Sequence, residues 1–198
     1  MILFDMDGVI IDSSKLWYRL FNDLRRKNGL PLINKSDYLQ KIWGTPMITE
    51  KKFFPDLPTD YIEGYYEMGF DKFISEISIN PEFYFLINNL PGIKKGVVSN
   101  TAQKQVKNIL ASRGLYSYFD IVVGGRDNLQ GKPEPDLINF AISKFRFKPS
   151  ETIFVGDTKY DIQAGIKAQV VTIGLGVDGG NYFVKSLREI LEIIGELR

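Results

Sequence analysis

Five short apolar runs, rich in β-branched residues and each running into polar ones or glycine, recur along the chain with helical patterns between them. They are Ile2-Leu3-Phe4 leading into Asp5, Gly96-Val97-Val98-Ser99-Asn100, and the segments 119–124, 152–157 and 170–174. The runs are continuous rather than alternating, as expected for parallel strands covered on both faces. Helical periodicity fills the spaces. Residues 102–113 place Val106, Ile109 and Leu110 on one face, with Gly114 just past the end. Residues 135–145, 158–168 and 184–194 carry comparable stripes, among them Leu137, Ile138 and Ala141, then Ile162 and Ala164, then Leu187, Ile190 and Ile194. Strand alternating with helix predicts right-handed crossovers and a doubly wound parallel α/β sheet with a Rossmann-like core.

That rhythm stops between residues 13 and 80. The segment reads as helices only, over about 14–28, 35–43, 47–54 and 59–78. Leu16, Trp17, Leu20, Phe21 and Leu24 form an apolar stripe on the first. The segment holds 12 of the 26 aromatic side chains, which suits the core of a small bundle. The expected organisation is therefore an α/β core over 1–12 and 81–198, with an α-helical insertion over 13–80.

Composition narrows the chemistry. The chain has 198 residues, a net charge of +1, no cysteine and no histidine. Disulfides, thiolate catalysis and zinc sites built on cysteine or histidine are excluded, as is a serine-histidine-aspartate triad. Acid–base work falls to Asp, Glu, Lys, Tyr or a metal-bound water. The charge balance gives no pull toward nucleic acid. The chain has no apolar stretch of spanning length, so no membrane partner is expected. The opening run carries Asp5 and Asp7, unlike a signal peptide, and the expected location is the cytoplasm.

In an open parallel sheet, ligands sit beyond the carboxyl ends of the strands where the strand order reverses. That rule gathers residues far apart in sequence. The first strand ends in Asp5-Met6-Asp7-Gly8 and the second in Ser99-Asn100-Thr101. A later one ends in Gly156-Asp157, followed by Thr158-Lys159-Tyr160-Asp161, and a loop supplies Lys132-Pro133-Glu134-Pro135-Asp136. Each piece alone reads as a turn, a helix cap or a solvated surface; four at one sheet edge, in this order, read as a site. Clustered carboxylates bind a hard divalent cation, Mg2+ above all. Such an ion, with Lys132, offsets their mutual repulsion and lets Asp5 stay ionised as a nucleophile. Ser99, Asn100 and the following helix start can hold an anion, and phosphate suits that company best.

These motifs resemble the haloacid dehalogenase-like superfamily in its Mg2+-dependent phosphatase branch, and segment 13–80 resembles the family's helical cap. The resemblance implies that Asp5 attacks phosphorus to form an aspartyl-phosphate. Asp7 then protonates the leaving alcohol and afterwards deprotonates the attacking water. Mg2+ is implied to be held by the Asp5 carboxylate, the Asp7 backbone carbonyl and Asp157, with Asp161 in support. Ser99, Asn100 and Lys132 are implied to bind the phosphoryl group. The implied substrate is a small phosphorylated metabolite, phosphoglycolate or a sugar phosphate, and the implied assembly a monomer or homodimer. Closure of the cap over the site would exclude water before attack.

β-Phosphoglucomutases of this branch commonly carry a histidine ten residues after the second aspartate; here that position is Trp17, which disfavours a mutase. Gly174-Leu-Gly-Val-Asp-Gly179 matches a dinucleotide-binding fingerprint, but the chain ends after one more helix. A receiver domain would also combine acids, a hydroxyl and a lysine, without a helical insertion after its first strand.

Overall fold

The computed structural model describes residues 1–45, 50–126 and 128–197. The chain divides into two compact units, Met1–Ile11 with Ile79–Arg198, and Asp12–Ser78. Its strands in chain order are β1 (Ile2–Phe4), β2 (Ile11–Asp12), β3 (Ser78–Ile79), β4 (Lys95–Ala102), β5 (Ile121–Gly125), β6 (Ile153–Gly156), β7 (Val171–Leu175) and β8 (Tyr182–Val184). The described helices are α1 (Ser14–Lys27), α2 (Lys35–Lys41), α3 (Thr59–Phe73), α4 (Phe83–Asn88), α5 (Gln103–Ser112), α6 (Asp136–Phe145), α7 (Lys159–Lys167) and α8 (Ile190–Glu196). Among the described residues, no helix is long and apolar enough to cross a membrane.

The first unit is built on a six-stranded parallel sheet in the order β5-β4-β1-β6-β7-β8. β1 is entirely buried and lies between β4 and β6, in register Ile2↔Lys95 and Ile2↔Ile153. Strand order reverses at β1, and in open parallel sheets ligands bind beyond the carboxyl end of the strand where that happens. Period two sends Leu3, Val98 and Phe154 into one layer with Leu137, Ile138 and Ala141 of α6. Phe4 takes the opposite face, edge-on to Phe83 of α4 at 6.4 Å. Each of these large side chains contributes about 1.5–3 kcal/mol by leaving water.

The five expected strands are present, with differences at the edges. β4 runs on to Ala102 because it pairs again with Gly125 after a register shift, spending the steps from Val98 to Ala102 against only Val123 to Gly125. This bulge covers Ser99, Asn100 and Thr101, and bulges beside sites re-aim side chains. The helix expected over 184–194 begins later. Tyr182–Val184 form β8, a single 3-10 turn spans Leu187–Glu189, and α8 follows. β7 returns to the parallel β8 through a short loop that doubles back on the strand. A side chain at Gly174 would sit 2.0 Å from the Val177 carbonyl, so only glycine permits that fold-back. The glycine run therefore opens no helix, and the dinucleotide fingerprint fails on its own terms. The short α4 is an element that the sequence pattern did not announce.

In the second unit, α1 buries Leu16, Leu20, Phe21 and Leu24. Phe21 packs on Tyr38, Phe53 and Phe54 at 5.3, 5.9 and 5.0 Å, so part of the aromatic enrichment is core. Arg25 is buried there and donates to the Pro31 and Phe53 carbonyls at 2.5 and 2.6 Å, fixing two loops. The last helix expected to reach residue 78 ends at Phe73, because the chain turns extended at Ile77 and pairs as β3 with β2, the two connections between the units. Of the helix expected over 47–54, residues 47–49 lie outside the described residues, and Lys51–Phe53 form a 3-10 turn.

Glu50 accepts a hydrogen bond from the Tyr66 hydroxyl in this unit. Burial pushes the Glu50 carboxyl up from its ordinary 4.5 to about 7, with the Tyr66 hydrogen bond opposing. A raised carboxyl favours the folded state while it is protonated. That contribution is complete below about pH 4.5 and is lost as pH rises through 7, by up to about 3 kcal/mol. Glu50→Gln keeps an acceptor for Tyr66 without the charge. Its melting temperature relative to the unsubstituted protein is expected to rise by several degrees between pH 5 and pH 8, measured by thermal unfolding.

Candidate active site

Every residue of the expected site falls in the first unit, at or near the carboxyl ends of β1, β4 and β6, in the loop before α6 and in the first turn of α7. Asp5 follows β1, and its backbone N–H bonds the Val155 carbonyl of β6 at 2.8 Å. The chain then turns tightly, with the Ile10 and Ile11 amides both donating to the Met6 carbonyl at 3.0 and 3.1 Å. Gly8 makes that turn at φ +89°, and a Cβ there would lie 1.9 Å from Asp157 Oδ2. Any other residue at Gly8 would both strain the backbone and displace Asp157. The first and last motifs are thus locked together.

Lys132 is the centre of the site. Its ammonium lies 2.6 Å from Asp5 Oδ1, 2.5 Å from Asp161 Oδ1 and 3.5 Å from the Val98 carbonyl. Asp5 and Lys132 are each 4% exposed and Asp161 only 1%. Burial alone would lower the lysine's pKa, but Asp161 and then Asp5 outweigh it and hold the ammonium charged. Asp5 is pushed well above the ordinary carboxylate range, first by burial and then by Asp161. Lys132 opposes this shift, while Asp157 and Asp7 add to it. One lysine does not balance the acids around it.

The supporting bonds explain how the lysine is held. Asn100 Nδ2 donates to the Lys132 carbonyl at 2.9 Å, and the Lys132 N–H donates to Asn100 Oδ1 at 2.7 Å. The Asn100 side chain, expected on the phosphoryl group, is committed to the Lys132 main chain. Asp161 is the third residue of α7 in a capping box with Thr158. Its Oδ2 accepts from the Thr158 N–H at 3.0 Å and the Thr158 hydroxyl at 2.5 Å, leaving Oδ1 for Lys132. The capping pattern Thr158-x-x-Asp161 was legible in the sequence, and its coupling to Lys132 was not.

Asp7 is bonded from β4. Its Oδ2 accepts from the Thr101 hydroxyl at 3.1 Å, and the Ser99 hydroxyl stands 3.5 Å away. Ser99 Oγ itself accepts the Thr101 N–H at 3.1 Å. Thr101, to which sequence reasoning gave no role, is the closer partner.

Among the described residues, Asp5, Asp157 and Asp161 form a group of acids whose ligand atoms lie within 4.8 Å of one another. The donors are hard carboxylate oxygens in a chain with no cysteine or histidine, a set that fits Mg2+ rather than a softer metal. Both Asp161 oxygens are bonded, Oδ1 to Lys132 and Oδ2 to Thr158, and Asp5 Oδ1 is bonded to Lys132. Neighbouring acids help raise Asp5, and a cation at these carboxylates would offset that repulsion.

The chain resembles known proteins in sequence and fold. The chain is 29% identical over 175 residues to a phosphoglycolate phosphatase of Aquifex aeolicus, covering 87% of this chain and 82% of that one. It is 24% identical over 208 residues to pyrophosphatase PpaX of Oceanobacillus iheyensis, covering 98% and 96%. The crystal structure of CbbY from Rhodobacter sphaeroides in complex with phosphate matches with a TM-score of 0.82, over 96% of this chain and 95% of that one. At 21% identity that match shows the fold alone. The family model for haloacid dehalogenase-like hydrolases matches residues 2–175, and the chain belongs to that family.

Proposed function

We propose that the protein is a Mg2+-dependent phosphatase that hydrolyses a small phosphomonoester through an aspartyl-phosphate on Asp5. The observation that carries this reading is the buried contact of Asp5 with Lys132, at the end of the central strand, with a second acid two residues on and Asp157 beside it. An Asp5 oxygen attacks phosphorus, the new O–P bond forms, and the ester P–O bond breaks. Asp7 gives its proton to the departing alkoxide. Asp7 then takes a proton from water as that water attacks phosphorus, releasing inorganic phosphate and restoring Asp5. Lys132 and the Ser99 hydroxyl hold the phosphoryl oxygens. Asp5, Asp157 and the Asp7 carbonyl would hold Mg2+, which supplies charge neutralisation at the transferring phosphoryl group. Positioning and charge stabilisation account for most of the rate.

The substrate we infer is phosphoglycolate or a sugar phosphate, and the working compartment the cytoplasm; the name of the Aquifex relative supports the first of these. The name of the Oceanobacillus relative makes pyrophosphate the substrate to set against it. A mutase is disfavoured further, because the half-buried Trp17 packs against Tyr66 and Phe70 of the same unit at 5.7 and 5.2 Å. The test is phosphate release from a panel of metabolite esters, pyrophosphate and p-nitrophenyl phosphate. Turnover of a phosphomonoester is expected with Mg2+, falling to background with EDTA and returning with excess Mg2+. Undiminished turnover in EDTA, or hydrolysis of pyrophosphate alone, would contradict the proposal.

A further inference from the structure

We propose that Thr101 is a positioning residue for Asp7, fixing one carboxylate oxygen so that the other exchanges the proton with the leaving group. This rests on the phosphatase reading above. The Thr101 hydroxyl donates to Asp7 Oδ2 at 3.1 Å, within ordinary hydrogen-bond range. Ser99 stands at 3.5 Å, at the outer limit, and its oxygen already accepts the Thr101 N–H. Of the two hydroxyls, Thr101 therefore makes the stronger hold on Asp7. The bulge in β4 places Ser99 and Thr101, two residues apart, on the Asp7 side, while Asn100 between them turns to Lys132.

Fixing Oδ2 has a chemical consequence. In the first step the ester P–O bond breaks, its electron pair stays on the leaving oxygen, and the proton of the Asp7 carboxyl moves to that oxygen. An alkoxide needs this proton, whereas nitrophenolate leaves as a stable anion without it. A loosely held Asp7 therefore penalises alkyl esters selectively. kcat/KM reports the steps up to alcohol release, so the second step does not obscure the comparison.

The experiment compares kcat/KM for glycerol phosphate, or the best alkyl ester of the panel, with that for p-nitrophenyl phosphate. Thr101→Val removes the hydroxyl while keeping the shape and the β-branched side chain suited to β4. It is expected to cost the alkyl ester on the order of 10- to 100-fold and p-nitrophenyl phosphate no more than about 3-fold. Thr101→Ser is expected to recover most of the loss. Asp7→Asn should show the same asymmetry in larger measure. Equal losses on both substrates, or no recovery in Thr101→Ser, would overturn the assignment while an asymmetric Asp7→Asn leaves the phosphatase reading intact. A symmetric Asp7→Asn, or no turnover by the unsubstituted protein, would overturn that reading and this assignment with it. Melting curves accompany each variant, and Thr101→Ala carries the comparison if the valine variant does not fold.

Discussion

Asp5→Asn is expected to reduce phosphomonoester turnover by at least about 10³-fold, the scale on which loss of a nucleophile acts. The amide has nearly the same shape and still fills the end of β1, so the loss is chemical. A stability measurement makes the distinction sharper. Burial and the neighbouring acids push the Asp5 carboxyl up, which means the metal-free site resists its charge. Neutralising it is expected to raise the melting temperature in Mg2+-free buffer at neutral pH, even as activity disappears. A variant that lost stability and activity together would instead show that Asp5 matters through packing.

Lys132→Met is expected to have the opposite sign on stability. The ammonium is shared by Asp5 and Asp161 at 2.6 and 2.5 Å in a buried setting. Its removal leaves two carboxylates facing each other without a counter-charge. Breaking a buried ion pair from one side costs about 3–5 kcal/mol, and for a chain of this size about 2–4 °C of melting temperature accompanies each kcal/mol. A drop on the order of 10 °C is expected in thermal unfolding. Mg2+ should restore part of it by supplying positive charge to Asp5. Activity should fall on the order of 10²–10³-fold with Mg2+ saturating, because a fixed charge aimed at the phosphoryl oxygens is lost. Insensitivity of the melting temperature to Lys132→Met would mean that the ion pairs carry no net weight.

Much of this site was legible in the chain because its parts terminate strands. A strand such as Ile2–Phe4 is marked by its apolar content, and the acid after it is marked by contrast. The sheet then brings Asp5, Ser99 and Asp157 to one edge without further information. What stayed hidden was the partnership between polar side chains. Nothing local to Asn100 shows that its amide clasps the main chain of Lys132, and nothing local to Thr101 shows that its hydroxyl reaches Asp7. Those partners are chosen by the bulge in β4, which depends on pairing with β5. Short elements were hidden for a different reason. Tyr182–Val184 is too brief for periodicity to register, and its role as an edge strand comes from a glycine fold-back rather than from its own residues. Helix α4 has only six residues, too few to show a face.

The central claim is that the Asp5 side chain itself carries the phosphoryl group between ester and water. The direct measurement is rapid acid quench during turnover of ³²P-labelled p-nitrophenyl phosphate, whose leaving group needs no proton from Asp7, followed by peptic mapping at low pH of the peptide that holds Asp5. The account predicts acid-stable, hydroxylamine-labile label on Asp5, accumulating further in Asp7→Asn, where attack by water is slowed. Continued turnover with no label on that peptide in either protein would contradict it.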